Sequence, residues 1–125
     1  MDFDINIDHQ KKIIHYKHNG NLKVEDIGAA WDRFLQMKEF TESGYNLFSD
    51  YTDAVFDLDA DNIDRIIEIL IPLKDILYNK KQVLLINEPM STALALAFEE
   101  AANKKVGFRT KVFTTKKAAL KWINY

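Results

Sequence analysis

The stretch Gln82-Val83-Leu84-Leu85-Ile86, followed at once by Asn87-Glu88-Pro89, decides the fold of this chain. The first five residues read as an apolar run with no wet face. That predicts a strand buried on both sides, as in the middle of a parallel sheet. Glu88-Pro89 then opens a helix carrying Leu94, Ala97, Phe98 and Ala101 on one face. Gly107 to Phe113 reads as the last strand. Thr115 to Ile123 reads as the last helix, with Ala119, Trp122 and Ile123 turned inward.

Upstream of this run the pattern begins with a hairpin. Phe3, Ile5 and Ile7 alternate with Asp4, Asn6 and Asp8, the period of a half-buried strand. His9-Gln10-Lys11 is turn-like, Lys12 to His18 reads as a second strand, and Asn19-Gly20-Asn21 should break it. A helix from about Glu25 to Met37 carries Ile27, Trp31, Phe34 and Leu35 on one stripe. Thr41 to Asn46 is a loop, and Leu47 to Tyr51 a short strand that Asp53 to Leu58 connects to a second helix. Asp59 caps that helix, and Ile63, Ile66, Ile67, Leu70, Leu73 and Leu77 form its core stripe. Pro72 interrupts the stripe and should kink or split the helix. The order ββαβαβαβα predicts one α/β domain over residues 1–125. Its sheet is five-stranded, mixed but mainly parallel, flanked by four helices with right-handed crossovers.

Composition narrows the function classes. The 125 residues include 17 Lys+Arg, 19 Asp+Glu and no Cys, so disulfides and thiolate chemistry are excluded. The opening Met1-Asp2-Phe3-Asp4 is acidic, unlike a secretory leader, and no apolar run is long enough to span a bilayer. A cytoplasmic, non-transmembrane protein is expected.

Several segments together resemble the STAS-like or SpoIIAA-like proteins of bacteria, in particular the STAS/SEC14-domain branch. They are His15 to Gly20 followed by Leu22 to Asp26, then Leu47-Phe48-Ser49-Asp50, then Val83 to Ile86 running into Asn87-Glu88-Pro89. The ending Val112-Phe113-Thr114-Thr115 with Ala119-Leu120-Lys121-Trp122-Ile123 completes the set. The resemblance implies a SpoIIAA-like fold and a non-catalytic interaction or regulatory module. Members that antagonise anti-sigma factors carry a phosphorylatable Ser in an Asp-Ser-Ser-Gly-like turn before the second helix. Here that turn reads Asp57-Leu58-Asp59-Ala60-Asp61-Asn62, with no hydroxyl to phosphorylate.

Other motifs are weighed on their spacing. Asp57, Asp59, Asp61 and Glu68 match EF-hand positions, but Asp64 stands where an aliphatic is needed and the helix–loop–helix context is missing. A capped helix start explains them better. His9, His15 and His18 lie on the first hairpin, where the odd offset of His15 and His18 sends them to opposite faces; a solvated edge is expected, not a metal site. Four scattered glycines allow no phosphate-binding fingerprint, and Ser43, Ser49 and Ser91 lack a nucleophile context. Seven basic residues and no acidic one lie between Lys104 and Tyr125, but the pI of about 5.9 disfavours nucleic acid. No cofactor is expected.

Site expectations follow from the fold. In open α/β sheets ligands bind beyond the C-terminal strand ends, here at Asp50, Tyr51, Asp53, Asn87, Glu88 and Ser91. Asp50 and Glu88 could pair as acid and base in a hydrolase or isomerase, the least favoured reading. The second helix is apolar nearly all round, so Ile69, Ile71 and Ile76 are expected in a two-fold homodimer interface, or against another protein or an apolar ligand. A small lipid-like carrier is the alternative to the interaction module.

Overall fold

The computed structural model describes residues 2–124. The strands are β1 (Phe3–Asp8), β2 (Ile13–Leu22), β3 (Asn46–Phe56), β4 (Lys81–Leu85) and β5 (Arg109–Phe113). The helices are α1 (Val24–Leu35), α2 (Lys38–Thr41), α3 (Ala60–Leu70), α4 (Lys74–Leu77), α5 (Pro89–Lys105) and α6 (Lys116–Ile123). They form one sheet in the spatial order β1-β2-β3-β4-β5. β1 pairs antiparallel with β2, and the other three pairings are parallel.

This order explains the layering. Each parallel crossover steps the same way across the sheet, so right-handed connections place α1, α3 and α5 on one face. Ile14, Tyr16, Leu47, Leu84 and Phe108 of the sheet side meet Phe34, Ile63, Ile67 and Phe98 of the helices in the main core. The opposite face has a smaller core, where Ala119 and Ile123 of α6 cover Ile13, Phe48, Val83 and Leu85. β4 is buried from end to end, as its apolar run requires.

Two strands run longer than the sequence pattern predicts. β2 does not stop at Asn19-Gly20-Asn21: Gly20 takes φ +84° inside the strand, and pairing continues to Leu22 opposite Phe56. Between Lys17 and Asn19 the partners step from Asp50 to Asp53, so β3 holds one extra residue there. The turn-forming residues stay paired one-to-one, Asn19 with Asp53, Gly20 with Ala54 and Asn21 with Val55, and the bulge just before them bends the pair without ending it. His18 is also placed differently from expectation. It is fully buried beneath the bulge, its Nε2 2.9 Å from the Asn21 carbonyl oxygen, and is not part of a solvated edge.

Pro72 splits the second helix as its chemistry demands. α3 ends at Leu70, a 3-10 turn spans Ile71–Leu73, and α4 restarts at Lys74. α2 arises inside the segment read as a loop, because Phe40 anchors it in the core, fully buried against Trp31 and Phe34.

Candidate functional site

The polar residues at the strand ends are held by backbone. Glu88 is the N-cap of α5, and its carboxylate accepts hydrogen bonds from the Met90 and Ser91 amides at 3.0 and 2.7 Å. Those bonds lower its pKa, the Ser91 bonds contributing most. The donors at the start of α5 are thereby occupied by the chain itself. The Ser91 hydroxyl, buried, accepts from the Phe56 amide at 3.2 Å. Asn87 is exposed.

Asp50 sits at the bulge. Its Oδ1 accepts from the Thr52 amide at 2.9 Å and from the Thr52 hydroxyl at 2.7 Å. Lys17 Nζ lies 2.9 Å from Asp53 and 4.0 Å from Asp50, a contact that raises the lysine pKa. Strand alternation, in step with Leu47, turns Tyr51 to the helix-covered face, away from Asp50. Its ring packs edge-on against Tyr16 and Phe56 at 5.9 and 5.2 Å. Burial pushes the phenol up to about 12. The Ser49 hydroxyl offsets part of that shift, near the phenol but outside close hydrogen-bonding geometry. The six strand-end residues therefore do not line one cleft. Asp50 looks onto the open sheet face, Tyr51 into the core, and Glu88 into its own helix.

Two concavities flank the sheet. On the α6 face, a groove of about 360 Å³ is lined by Asp4, Asn6, His15, Lys17, Asp50 and Lys116. His15 stacks on Phe48 at 5.1 Å, and burial, then Lys116, lower its pKa. On the helix-covered face, a smaller cavity of about 40 Å³ lies between α1 and α3. Ile27 and Trp31 form one wall and Ile63 and Ile66 the other, with Phe98 of α5 behind. Its floor is Leu84 and Gln82 of β4. Gln82 is 4% exposed, and its Oε1 has no hydrogen-bond partner among the described residues.

Sequence reading passed over this glutamine, counted as one more member of an apolar strand. The signal was there: a side-chain amide at a strand position predicted buried on both faces. Lys80 was also missed. It is buried, donates to the Phe40 carbonyl at the end of α2, and lies 4.0 Å from the Phe40 ring centroid. No signal in the local sequence separates it from the neighbouring surface lysines.

The acidic start of the second helix forms a cap. Asp59 accepts from the Asn62 amide at 2.9 Å while Asn62 Oδ1 accepts from the Asp59 amide at 3.0 Å. Among the described residues no three acidic or histidine side chains converge as a cation site. Of the expected interface residues, Ile69 and Ile71 are 60% and 42% exposed, and Ile76 packs partly against the main core. No described helix is long and apolar enough to cross a membrane.

No known family model matches the chain, and no curated protein is recognisably similar in sequence. Among solved structures it is similar to an uncharacterised protein of the DUF3478 family from Shewanella loihica PV-4, which has a SpoIIAA-like fold. The TM-score is 0.59 at 15% identity, covering 97% of this chain and 93% of that one. The fold is therefore SpoIIAA-like.

Proposed function

We propose that this chain is a non-catalytic interaction module that works without a serine phosphoswitch and pairs with a second copy through α3 and the turn after it. The observation that carries this reading is the use made of the strand-end polar groups. Glu88 gives both carboxylate oxygens, Ser91 its hydroxyl and Asp50 its Oδ1 to backbone amides, which supports a scaffolding role over acid–base chemistry. The segment where a phosphorylatable serine would stand is instead a capping box of Asp59 and Asn62. For the partner surface, Ile69 and Ile71 present apolar area that a second copy would remove from water. Light scattering at micromolar concentration tests the pairing: twice the chain mass supports it, and 14.5 kDa ends it.

A second reading is favoured by one specific feature, the apolar cavity between α1 and α3. Under it the chain carries a small apolar ligand. Native mass spectrometry of gently purified protein tests this: a bound adduct supports the carrier, and bare protein counts against it.

A further inference from the structure

We infer that the free edge of β1 docks an extended protein segment whose residues alternate between apolar and basic. This is a second surface of the interaction module and does not depend on pairing through α3.

The ladder fixes which β1 groups are free. The Asn19 amide donates to the Asp2 carbonyl at 2.8 Å, so Asp2, Asp4, Asn6 and Asp8 turn their amides and carbonyls toward β2. Phe3, Ile5 and Ile7 turn theirs outward, where no other described residue bonds them. The opposite edge is treated differently. On β5 the Arg109 amide donates to the Lys80 carbonyl at 2.9 Å, which leaves Thr110 and Val112 facing outward. Asn103 of α5 donates to the Thr110 carbonyl at 2.9 Å, and Glu99 accepts from the Val112 amide at 3.3 Å. The chain thus covers one edge with its own side chains and leaves the other open. β1 has no Pro, Lys or bulge to guard it, and its only charges are acidic.

The two faces of β1 specify the occupant. Phe3, Ile5 and Ile7 border the main core and are only half-buried, so a strand with apolar residues opposite them extends that core. Asp4 and Asn6 project on the other face, beside the groove that also holds Asp50. Asp4 is opposite Lys17 in the ladder, but Lys17 Nζ is drawn to Asp53 at 2.9 Å. Among the described residues Asp2 and Asp4 have no ion-pair partner. A second copy of β1 suits this edge poorly. Antiparallel pairing centred on Ile5 sets Asp2 of each copy against Asp8 of the other, and the neighbouring registers set Asp4 against Asp4 or Asp8. Lysine or arginine at those positions gives opposite-charge pairs, while the backbone bonds supply the docking itself.

The probe is a blocked heptapeptide that alternates lysine and valine, with lysine at both ends. Its valines fall opposite Phe3, Ile5 and Ile7, and its lysines opposite Asp2, Asp4, Asn6 and Asp8. It is titrated into ¹⁵N-labelled protein at low ionic strength, and the amide resonances of β1 should move saturably. N-methylating the valines removes the donors aimed at β1 and should weaken binding at least about tenfold, whereas N-methylating the lysines, whose amides point away, should change it by less than about twofold. Both analogues keep the charge. A glutamate–valine peptide should not bind. No saturable movement of the β1 amides overturns the inference. Equal affinity of the valine-methylated and parent peptides, or equal weakening by the two methylations, overturns strand addition. A glutamate–valine peptide that binds as tightly as the parent overturns the basic occupant. Each of these results leaves the pairing through α3 untouched.

Discussion

The Ser91 hydroxyl, in the first turn of α5, accepts a hydrogen bond from the amide of Phe56, the last residue of β3, 3.2 Å away and 35 positions earlier. β3 outruns β4 at this end, so Phe56 has no β4 partner there. Ser91 takes that place. Replacing it with alanine leaves a half-buried N–H without an acceptor, which should cost about 1–2 kcal/mol. Urea unfolding of Ser91→Ala checks this, and an unmoved midpoint would show that water takes over the bond.

Gly107 and Tyr78 make a second junction. Gly107 has φ +72°, and a Cβ there would lie 2.5 Å from Cδ2 of the Tyr78 ring. The Asn79 amide also donates to the Gly107 carbonyl at 2.8 Å, which fixes the two turns together. Gly107→Ala should destabilise by roughly 1–2 kcal/mol from the left-handed backbone alone, with a steric part added. Tyr78 is 67% exposed, so its ring can leave. In the Tyr78→Ala background, only the backbone part of the loss should remain. A loss that is the same in both backgrounds would mean the ring moves aside freely.

Strand order and core were legible where a residue's role is set by its neighbours in sequence. The Val83–Ile86 run, the Asp59 cap and the Pro72 break each depend on a few adjacent side chains. Roles set across the sheet were not legible. The bulge exists because Lys17 faces Asp50 while Asn19 faces Asp53, a mismatch visible only once β2 and β3 are paired. Which face of the sheet the helices cover also decides that Tyr51 leaves the strand-end group and that His18, in step with Ile14 and Tyr16, is buried. The strand-end cleft was inferred from fold class alone, and a fold rule locates an edge without saying which oxygens its backbone will claim.

Lys80 should give the protein an alkaline stability rise. Burial lowers its pKa from 10.5 to about 8, so between these values the unfolded chain holds more protons than the native one. Stability therefore rises with pH across that window, by on the order of 1–3 kcal/mol. Lys81, lowered by burial and by Arg109, acts in the same sense. Above pH 10 the sign reverses. Tyr51, raised from 10.0 to about 12, and Tyr16, raised further, must ionise more readily in the unfolded chain. Denaturant melts at intervals from pH 7 to 11 should show a maximum between about 9 and 10. In Lys80→Met most of the rise above pH 8 should disappear; a rise of the same size would assign it to another group.

The two-fold reading of α3 can be separated from its core role by two substitutions on one helix. Ile67 and Ile69 lie two residues apart and therefore on different sides of α3, at 2% and 60% exposure. A lysine at Ile67 has to bury an ammonium in the main core and should unfold the domain. A lysine at Ile69 keeps its charge in water in the isolated chain, so the fold should survive with Tm within a few degrees. In a pair of chains the same lysine would face apolar surface at the centre of the contact, and the dimer should weaken by about tenfold or more. Sedimentation velocity across a concentration series, with circular dichroism on each variant, reads both effects. Ile69→Lys that folds and still pairs as the parent does would move the interface off α3.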